Sequence, residues 1–278
     1  MRRLALAALC EREPGAKVAA VGAVRDRYEA GDAVCRPEEC IEESALVPGR
    51  PARPELVEPR SLRHRGMQTE EGRAVLLHAI AHIEFNAINL ALDAVWRFAG
   101  MPEAFYADWL RVAVEEAHHF GLLQARLVEF GHTYGDFPAH DGLWDVCART
   151  RDDVLARMAL VPRTLEARGL DASPPIRARL VQAGDAASAA ILDVILRDEI
   201  GHVRIGNRWF RYLCEARGSE PHETYARLAE QYRAPRLRGP FNFEARREAG
   251  FDEEELTALA AHASTTASEP ATGKPRER

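Results

Sequence analysis

Among the five cysteines of this 278-residue chain there is no Cys-x-x-Cys pair and no Cys–His spacing of the zinc-binding kind. An odd, scattered set (Cys10, Cys35, Cys40, Cys147 and Cys214) argues against a disulfide-stapled secreted scaffold. It reads as reduced thiol in a cytoplasmic protein. Cys35 and Cys40 lie near enough in sequence to meet, but unpaired thiols are the preferred reading. Excess positive charge is also lacking: the net charge is −6, which gives no general attraction to nucleic acid or to an anionic membrane. No stretch is expected to reach the apolar length of a membrane span. The opening "MRRLALAALCEREPG" imitates an export leader, yet Leu4 to Leu9 is too short for the apolar region of one. Leu9 before Cys10 is also the wrong small-residue signal. The segment is read instead as a short amphipathic helix, Arg3 to Glu13, followed by Pro14-Gly15. Finally, β-strand alternation is nowhere sustained, and that leaves helices.

Four long apolar-periodic stretches are present. The first runs from about 70 to 99 and ends at Gly100-Met101-Pro102. The second opens with Pro102 near its first turn and runs to Gly131. The third is expected from about Leu143 to Arg168, with Gly169 as its C-cap and "LDASPP" as a break. The fourth is expected from Ile176 to about Arg217, loosened at Gly184. Each is long enough to cross a bundle at about 1.5 Å per residue. Short links join the first to the second and the third to the fourth, so each pair should form an antiparallel hairpin. The middle link, about a dozen residues, can stretch roughly 40 Å and cross over between hairpins. The expectation is an all-α chain of ferritin-like connectivity: a four-helix bundle with helical extensions at both ends. By residue, that is an N-terminal helical extension over 1–45, a proline-rich connector over 46–66 and the bundle over 67–218. A C-terminal extension packing on the bundle follows over 219–263, with a short docking helix after a turn within 237–259. A disordered tail is expected over 264–278.

Two of the stretches carry a Glu-x-x-His: "EEAHHF" with Glu116 and His119, and "RDEIGHV" with Glu199 and His202. Residues three apart on a helix are about 60° apart around it and share a face. Apolar neighbours (Val112, Leu123, Leu127; Ile195, Val203, Ile205) turn that face toward the interior, where an isolated carboxylate is costly without a cation or partner. Glu115 and His118 form a competing pair rotated by about 100°, but Leu123 and Leu127 favour His119 as the inward imidazole. One such motif is common on helices. Two, on the second helix of successive hairpins, match a di-metal carboxylate plan, which also needs a single Glu on each remaining helix. Glu84 is the acidic residue of "LLHAIAHIEFNAINLALDAV" ahead of Asp93, and Glu166 is the only Glu of "LARMALVPRTLEARGLD". Glu84 precedes Glu116 by 32 positions and Glu166 precedes Glu199 by 33, as pseudo-twofold hairpins require. The expected ligand set is Glu84, Glu116, His119, Glu166, Glu199 and His202. Pro162 should kink the third helix one turn before Glu166, which is read as lying in that helix's last turn. Asp198 is placed to accept the free N–H of a liganding histidine. His78 and His82, like Phe85, Phe120, Trp209 and Phe210, are read as packing residues.

The phrases "EEAHHF", "YGDFPAHDGLW", "RMALVPRTLEARGLD" and "GDAASAAILDVILRDEIGHVRIGNRWF" resemble an uncharacterised bacterial family of ferritin-like proteins, over roughly residues 65–250. The wider superfamily includes rubrerythrins, ribonucleotide reductase small subunits and a tRNA hydroxylase. The resemblance implies a di-iron four-helix bundle whose six ligands fall on the residues named above. It implies no substrate. Oxygen-rich ligation without sulfur suits two iron ions, or manganese, and disfavours structural zinc. The function expected is activation of O2 or peroxide by an oxidoreductase or hydroxylase, whose substrate and electron donor the sequence does not identify. The alternatives are iron handling without an organic substrate and a helical metal-binding or interaction module. A tRNA substrate rests on analogy with one superfamily member and on the basic cluster Arg233, Arg236, Arg238, Arg246 and Arg247, which a solvated helix face explains as well. A homodimer is compatible with the pattern but is not specified by it.

Overall fold

Thr69 opens the first long helix, its hydroxyl accepting from the Gly72 N–H at 3.0 Å. The computed structural model describes residues 1–43, 46–62, 65–235 and 237–267, with side chains to residue 261. Among them the ordered elements are helical and no strand forms; one parallel bridge joins Leu56 to Ala139. In chain order the helices are α1 (Arg2–Cys10), α2 (Pro14–Glu29), α3 (Glu70–Arg97), α4 (Glu103–Glu129), α5 (Gly142–Arg149), α6 (Val154–Leu160), α7 (Ala167–Gln182), α8 (Ala186–Ala216), α9 (Pro221–Gln231), α10 (Phe243–Glu248) and α11 (Glu253–Ala267). Pro14 therefore starts α2 instead of ending the first helix, as its fixed φ and absent N–H favour. The tail expected from 264 is helical to Ala267 in α11, and 268–278 lie outside the described residues.

Two hairpins carry the architecture. α3 turns into α4 at Gly100, whose φ of 76° takes the left-handed turn, and α7 turns into α8 at Gly184, φ 78°. The hairpins meet mainly along α4 and α8. Asp185 locks one end: it caps α8 through the Ser188 N–H, accepts from Arg126 of α4 at 2.8 Å, and pairs with Arg73 of α3 at 3.4 Å. At the other end, the Trp209 indole N–H on α8 donates to Asp108 on α4 at 2.9 Å. α8 thus runs antiparallel to α4. By length and composition α3 would suit a membrane, contrary to the sequence expectation, but 78% of its most apolar 18-residue window is buried inside the protein. Buried Asp93 on α3 holds Arg157 of α6 at 2.5 Å and Arg97 at 2.7 Å, so the crossover returns to the same core. The N-terminal helices join that core through Leu6, Leu9, Val21 and Val24. Lys17 reaches in between them, donating to the Leu9 carbonyl and to Asn89 of α3. All five cysteines are unpaired.

The third long helix differs most from expectation. α5 is separate, and the helical run begins at Val154 and continues to Gln182. Gly169 caps nothing, and Glu166 sits mid-run instead of in a last turn. Pro174 and Pro175 are accommodated inside α7. Pro174 has no N–H to give the Leu170 carbonyl, and the Asn242 amide donates to that oxygen instead, at 3.2 Å. Between α6 and α7 the chain widens into a π-helical turn, Val161–Glu166, at the Pro162 anticipated as a kink. The bulged proline presses on α8 at Gly206, where an added Cβ would lie 2.3 Å from the Pro162 Cβ. C-terminally, Arg163 of the π turn pairs with Glu255 of α11. Phe251, Leu256, Ala245 and Ala249 pack on Ala167, Leu170 and Val203 as a second small core.

Two glycines of α8 should therefore respond with opposite sign. Gly206→Ala is expected to cost about 1–3 kcal/mol through overpacking against Pro162. Gly201→Ala, with nothing within 4 Å of the new methyl, is expected to be neutral or to add up to about 1 kcal/mol of helix propensity. Thermal melts of the two variants beside the parent check this; equal shifts would show that Pro162 relaxes freely.

Candidate metal centre

Glu84 (α3), Glu116 and His119 (α4), Glu166 (end of the π turn), and Glu199 and His202 (α8) are all buried. The Glu116/His119 face is the inward one: both residues are fully buried, whereas His118 is exposed. Nδ1 of His119 lies 3.2 Å from Glu84 and 3.3 Å from Glu116. Nδ1 of His202 lies 2.9 Å from Glu116 and 3.9 Å from Glu199. Two sets of three donor atoms, each within 4.8 Å of one another, result: Glu84, Glu116 and His119, then Glu116, Glu199 and His202. Glu116 is common to both. The imidazole rings are 5.9 Å apart, centre to centre. Glu166 stands beside these sets, close enough to Glu199 and Glu116 for their charges to act on it.

Outside the inner group the two histidines are held alike. Nε2 of His119 faces Asp198 at 3.1 Å, and Nε2 of His202 faces Glu115 at 2.8 Å. Each imidazole thus takes its outer partner from the opposite motif. Arginines hold the outer carboxylates in turn: Arg197 on Asp198 and Arg111 on Glu115, both at 2.9 Å. Asp198 fills the role expected of it. Glu115 was read only as a rival ligand, and the available signal was the acidic residue directly before each motif Glu. With Nε2 engaged outward, each ring directs Nδ1 at the inner carboxylates. His82 is absorbed elsewhere, between the Tyr134 hydroxyl at 2.8 Å and the His140 carbonyl, and His78 accepts from the Gly135 N–H. The basic cluster does not assemble as an exposed patch. Arg246 is fully buried on Asp171, Arg247 pairs with Glu253, and Arg236 lies outside the described residues.

The electrostatics describe an interior charge problem. Burial drives the Glu84 carboxyl well above its ordinary range, and neighbouring Glu116 adds to it. Burial and then the charge of Glu199 do the same to Glu166. Burial alone would also raise Glu116, but the His202 charge and a hydrogen bond from His119 hold it well below the carboxylate range. For His119, burial favours the neutral ring, yet hydrogen bonds to Glu116 and Glu84 outweigh it and push the ring to about 11. His202 is likewise raised well above its usual value, chiefly by Glu116 against the opposing effect of burial. Glu166 Oε2 and Glu199 Oε2 are buried without a hydrogen-bond partner, and Glu116 Oε1 and His202 Nδ1 have only each other, as an ion pair at 2.9 Å. Buried polar atoms are rarely left unpaired, and two carboxylate oxygens left so beside an ion-paired histidine suit a cation that binds through them.

A cavity of about 450 Å³ meets the inner group on its carboxylate side. Glu84, Glu166 and Glu199 line it, together with Ile80, Ala87, Leu165, Leu192 and Ile195. Neither liganding-type histidine does.

Removing an outer carboxylate should loosen a bound metal without deleting a donor. Glu115→Ala and Asp198→Ala are each expected to weaken metal binding about 10- to 100-fold, against the mild effect that a surface residue at 115 would have. Competition with a chromophoric chelator measures it, and a parent-like affinity for Glu115→Ala would reduce that residue to a packing role.

Protonation sets a second expectation. In the metal-free site His119 holds a proton at neutral pH, and His202, Glu84 and Glu166 are shifted toward their protonated forms, so an arriving cation must displace protons. Apparent affinity should rise with pH, and more than one proton should be released per ion, roughly, when the site fills. Calorimetry in buffers of different ionisation enthalpy reads the number directly; heats independent of buffer would contradict the assignment.

A family model described as protein of unknown function (DUF455) matches residues 10–257. An uncharacterized protein of Haemophilus influenzae is 51% identical over 213 residues, covering 74% of each chain. No solved structure matches.

Proposed function

The chain belongs to this family of unknown function, DUF455, and we propose that it is a ferritin-like di-iron carboxylate protein that activates O2 or peroxide. The observation that carries this reading is the meeting of two Glu-x-x-His pairs and Glu84 in two buried donor sets, with Glu166 beside Glu199 on the same cavity and carboxylate oxygens left unpaired there. Four ionised carboxylates balance the charge of two divalent cations, so filling the site would relieve the repulsion that protons relieve in its absence. Hard oxygen donors with two imidazoles suit iron or manganese over a structural zinc. Glu84, Glu116, His119, Glu199 and His202 would hold the ions, Glu116 being common to both donor sets. Glu166 would close the site beside Glu199.

Two ferrous ions bound there would supply electrons to O2. The chain's own part is to exclude bulk water, to fix both imidazoles through Asp198 and Glu115, and to leave a free face of carboxylate oxygens toward the cavity. Hydroxylation of a C–H bond by O2 places one oxygen in the product and reduces the other to water, consuming two further electrons and two protons. A separate reductant is therefore part of this reading. The cavity favours an organic substrate over iron storage, which calls for a mineral-nucleating surface. Nucleic acid as the substrate has little support, since Arg246 is buried on Asp171 and Arg247 is paired with Glu253 at the surface.

Anaerobic loading with Fe(II), followed by desalting, should leave two irons per chain and no more. Admitting O2 should then give one stoichiometric oxidation that stops until reductant is added. Retention well above two irons per chain would replace this reading with iron storage, and no retained metal would leave the interaction module.

A further inference from the structure

The wall of the 450 Å³ cavity changes character along its length. Its inner end is formed by Glu84, Glu166 and Glu199. The rest of its wall is mainly hydrocarbon from three elements, including Ile80 and Ala87 of α3, Leu192 and Ile195 of α8, and Ile176 of α7, with His140, Asp171 and Ser173 as its other polar members. At the outer end stand two arginines, Arg168 and Arg238, both exposed. Neither has a carboxylate within ion-pair reach among the described residues, although most arginines near the cavity do: Arg246 is committed to Asp171, Arg177 to Asp193 and Arg163 to Glu255.

The second arginine is held in place from below. Its segment, 237–241, crosses the mouth ahead of α10 and contributes Pro240 and Phe241 to the wall. That segment is anchored on α7 where Asp171 accepts from the Asn242 N–H at 2.9 Å and from buried Arg246 at 2.6 Å. Arg168 projects from the first turn of α7, two residues beyond Glu166. One side of the mouth is therefore cationic, the wall between is mainly apolar, and the far end is lined by carboxyl groups.

The geometry points to a substrate with an unbranched or lightly branched hydrocarbon chain and a single anionic head. The chain fills the channel with its tail toward the three carboxylates, and the head stays at the mouth on Arg168 and Arg238. This substrate class rests on the metal-centre reading above, because that reading places chemistry at the inner end. The two exposed arginines give an anionic head its partners at the mouth, and a polar chain would be stranded among the apolar lining residues. Apolar bodies with a few placed polar groups are what cavities of a few hundred Å³ hold.

Calorimetric titration of the full chain with decanoate, octanoate, decyl phosphate, decanol and decyltrimethylammonium tests this. All ligands are kept below their micelle-forming concentrations. Decanoate should bind about tenfold tighter than octanoate, as two buried methylenes require, and at least tenfold tighter than decanol. A preference for decyl phosphate over decanoate, or the reverse, supports the proposal and names the head. The Arg168→Ala/Arg238→Ala variant should lose the advantage of decanoate and leave decanol unchanged. Ile83→Trp, a half-exposed wall position that tolerates bulk, should block every ligand. Equal binding of decanoate and decanol, preference for the quaternary ammonium, or no binding at all overturns the proposal. Metal content measured on the same samples separates the two readings. Arginine-dependent decanoate binding without any metal would sink the metal centre alone, whereas two metals per chain without anion preference would sink the substrate class alone.

Discussion

Like charge held in a small dry volume is the constraint from which the rest of this structure follows. Four carboxylates within the apolar interior would each cost several kcal/mol if left ionised and unpaired. The proton on His119 offsets part of that charge, and the upward shifts of His202, Glu84 and Glu166 favour protonated forms that lower it further. The surroundings reinforce the arrangement: Arg197 holds Asp198, Asp198 holds His119, and the series Arg111, Glu115, His202 repeats this from the other helix. A purely structural core has no use for such a build. Hydrophobic residues of the same volume would stabilise it more.

How much of this was legible in the sequence depended on how local the cause was. The Glu-x-x-His pairs could be read because spacing and apolar neighbours on a single helix turn decide which face is inward. Glu84 and Glu166 could be read because pseudo-twofold hairpins repeat their separations. The third long helix could not. Pro174-Pro175 looks like a stop, and what keeps the helix intact is the amide of Asn242, 72 positions from the carbonyl it satisfies. Glu115 failed for the same reason, since its partner His202 is 87 positions away on another helix. Gly169 resembled a C-cap by composition; its place is opposite Glu199, where a side-chain carbon would come within 3.9 Å of the carboxyl.

The π turn links that misread helix to the site. Pro162 removes one backbone donor, the helix widens over Val161–Glu166, and the widened turn ends on the residue whose carboxyl completes the inner group. Widening needs room, and Gly206 on α8 provides it by having no side chain where Pro162 presses. Thr164 binds the Ala159 carbonyl five residues back at 2.9 Å, and Arg163 is held between Asn207, Glu255 and the faces of Phe210 and Tyr225. A local irregularity is thus fixed from four sides, which is how a π turn persists against the ordinary α-helical hydrogen-bond pattern. The C-terminal helices contribute directly to that fixation, so they belong to the site's support as much as to the surface.

The two faces of the inner group differ in a way that gives the site a direction. On the imidazole face every ring nitrogen that points outward meets a carboxylate, and each carboxylate meets an arginine, so the rings have no freedom to turn. On the other face Glu166 Oε2 and Glu199 Oε2 have no partner, and the wall beyond them is cavity. Carboxylates can alter how many oxygens they present to a cation, whereas a doubly held imidazole cannot. A molecule entering from the cavity therefore meets the ligands that can yield, backed by ligands that cannot. Under the proposed function the residues that would hold the metal therefore divide in two: histidines fixed from behind, and carboxylates free to respond on the side from which the substrate would arrive.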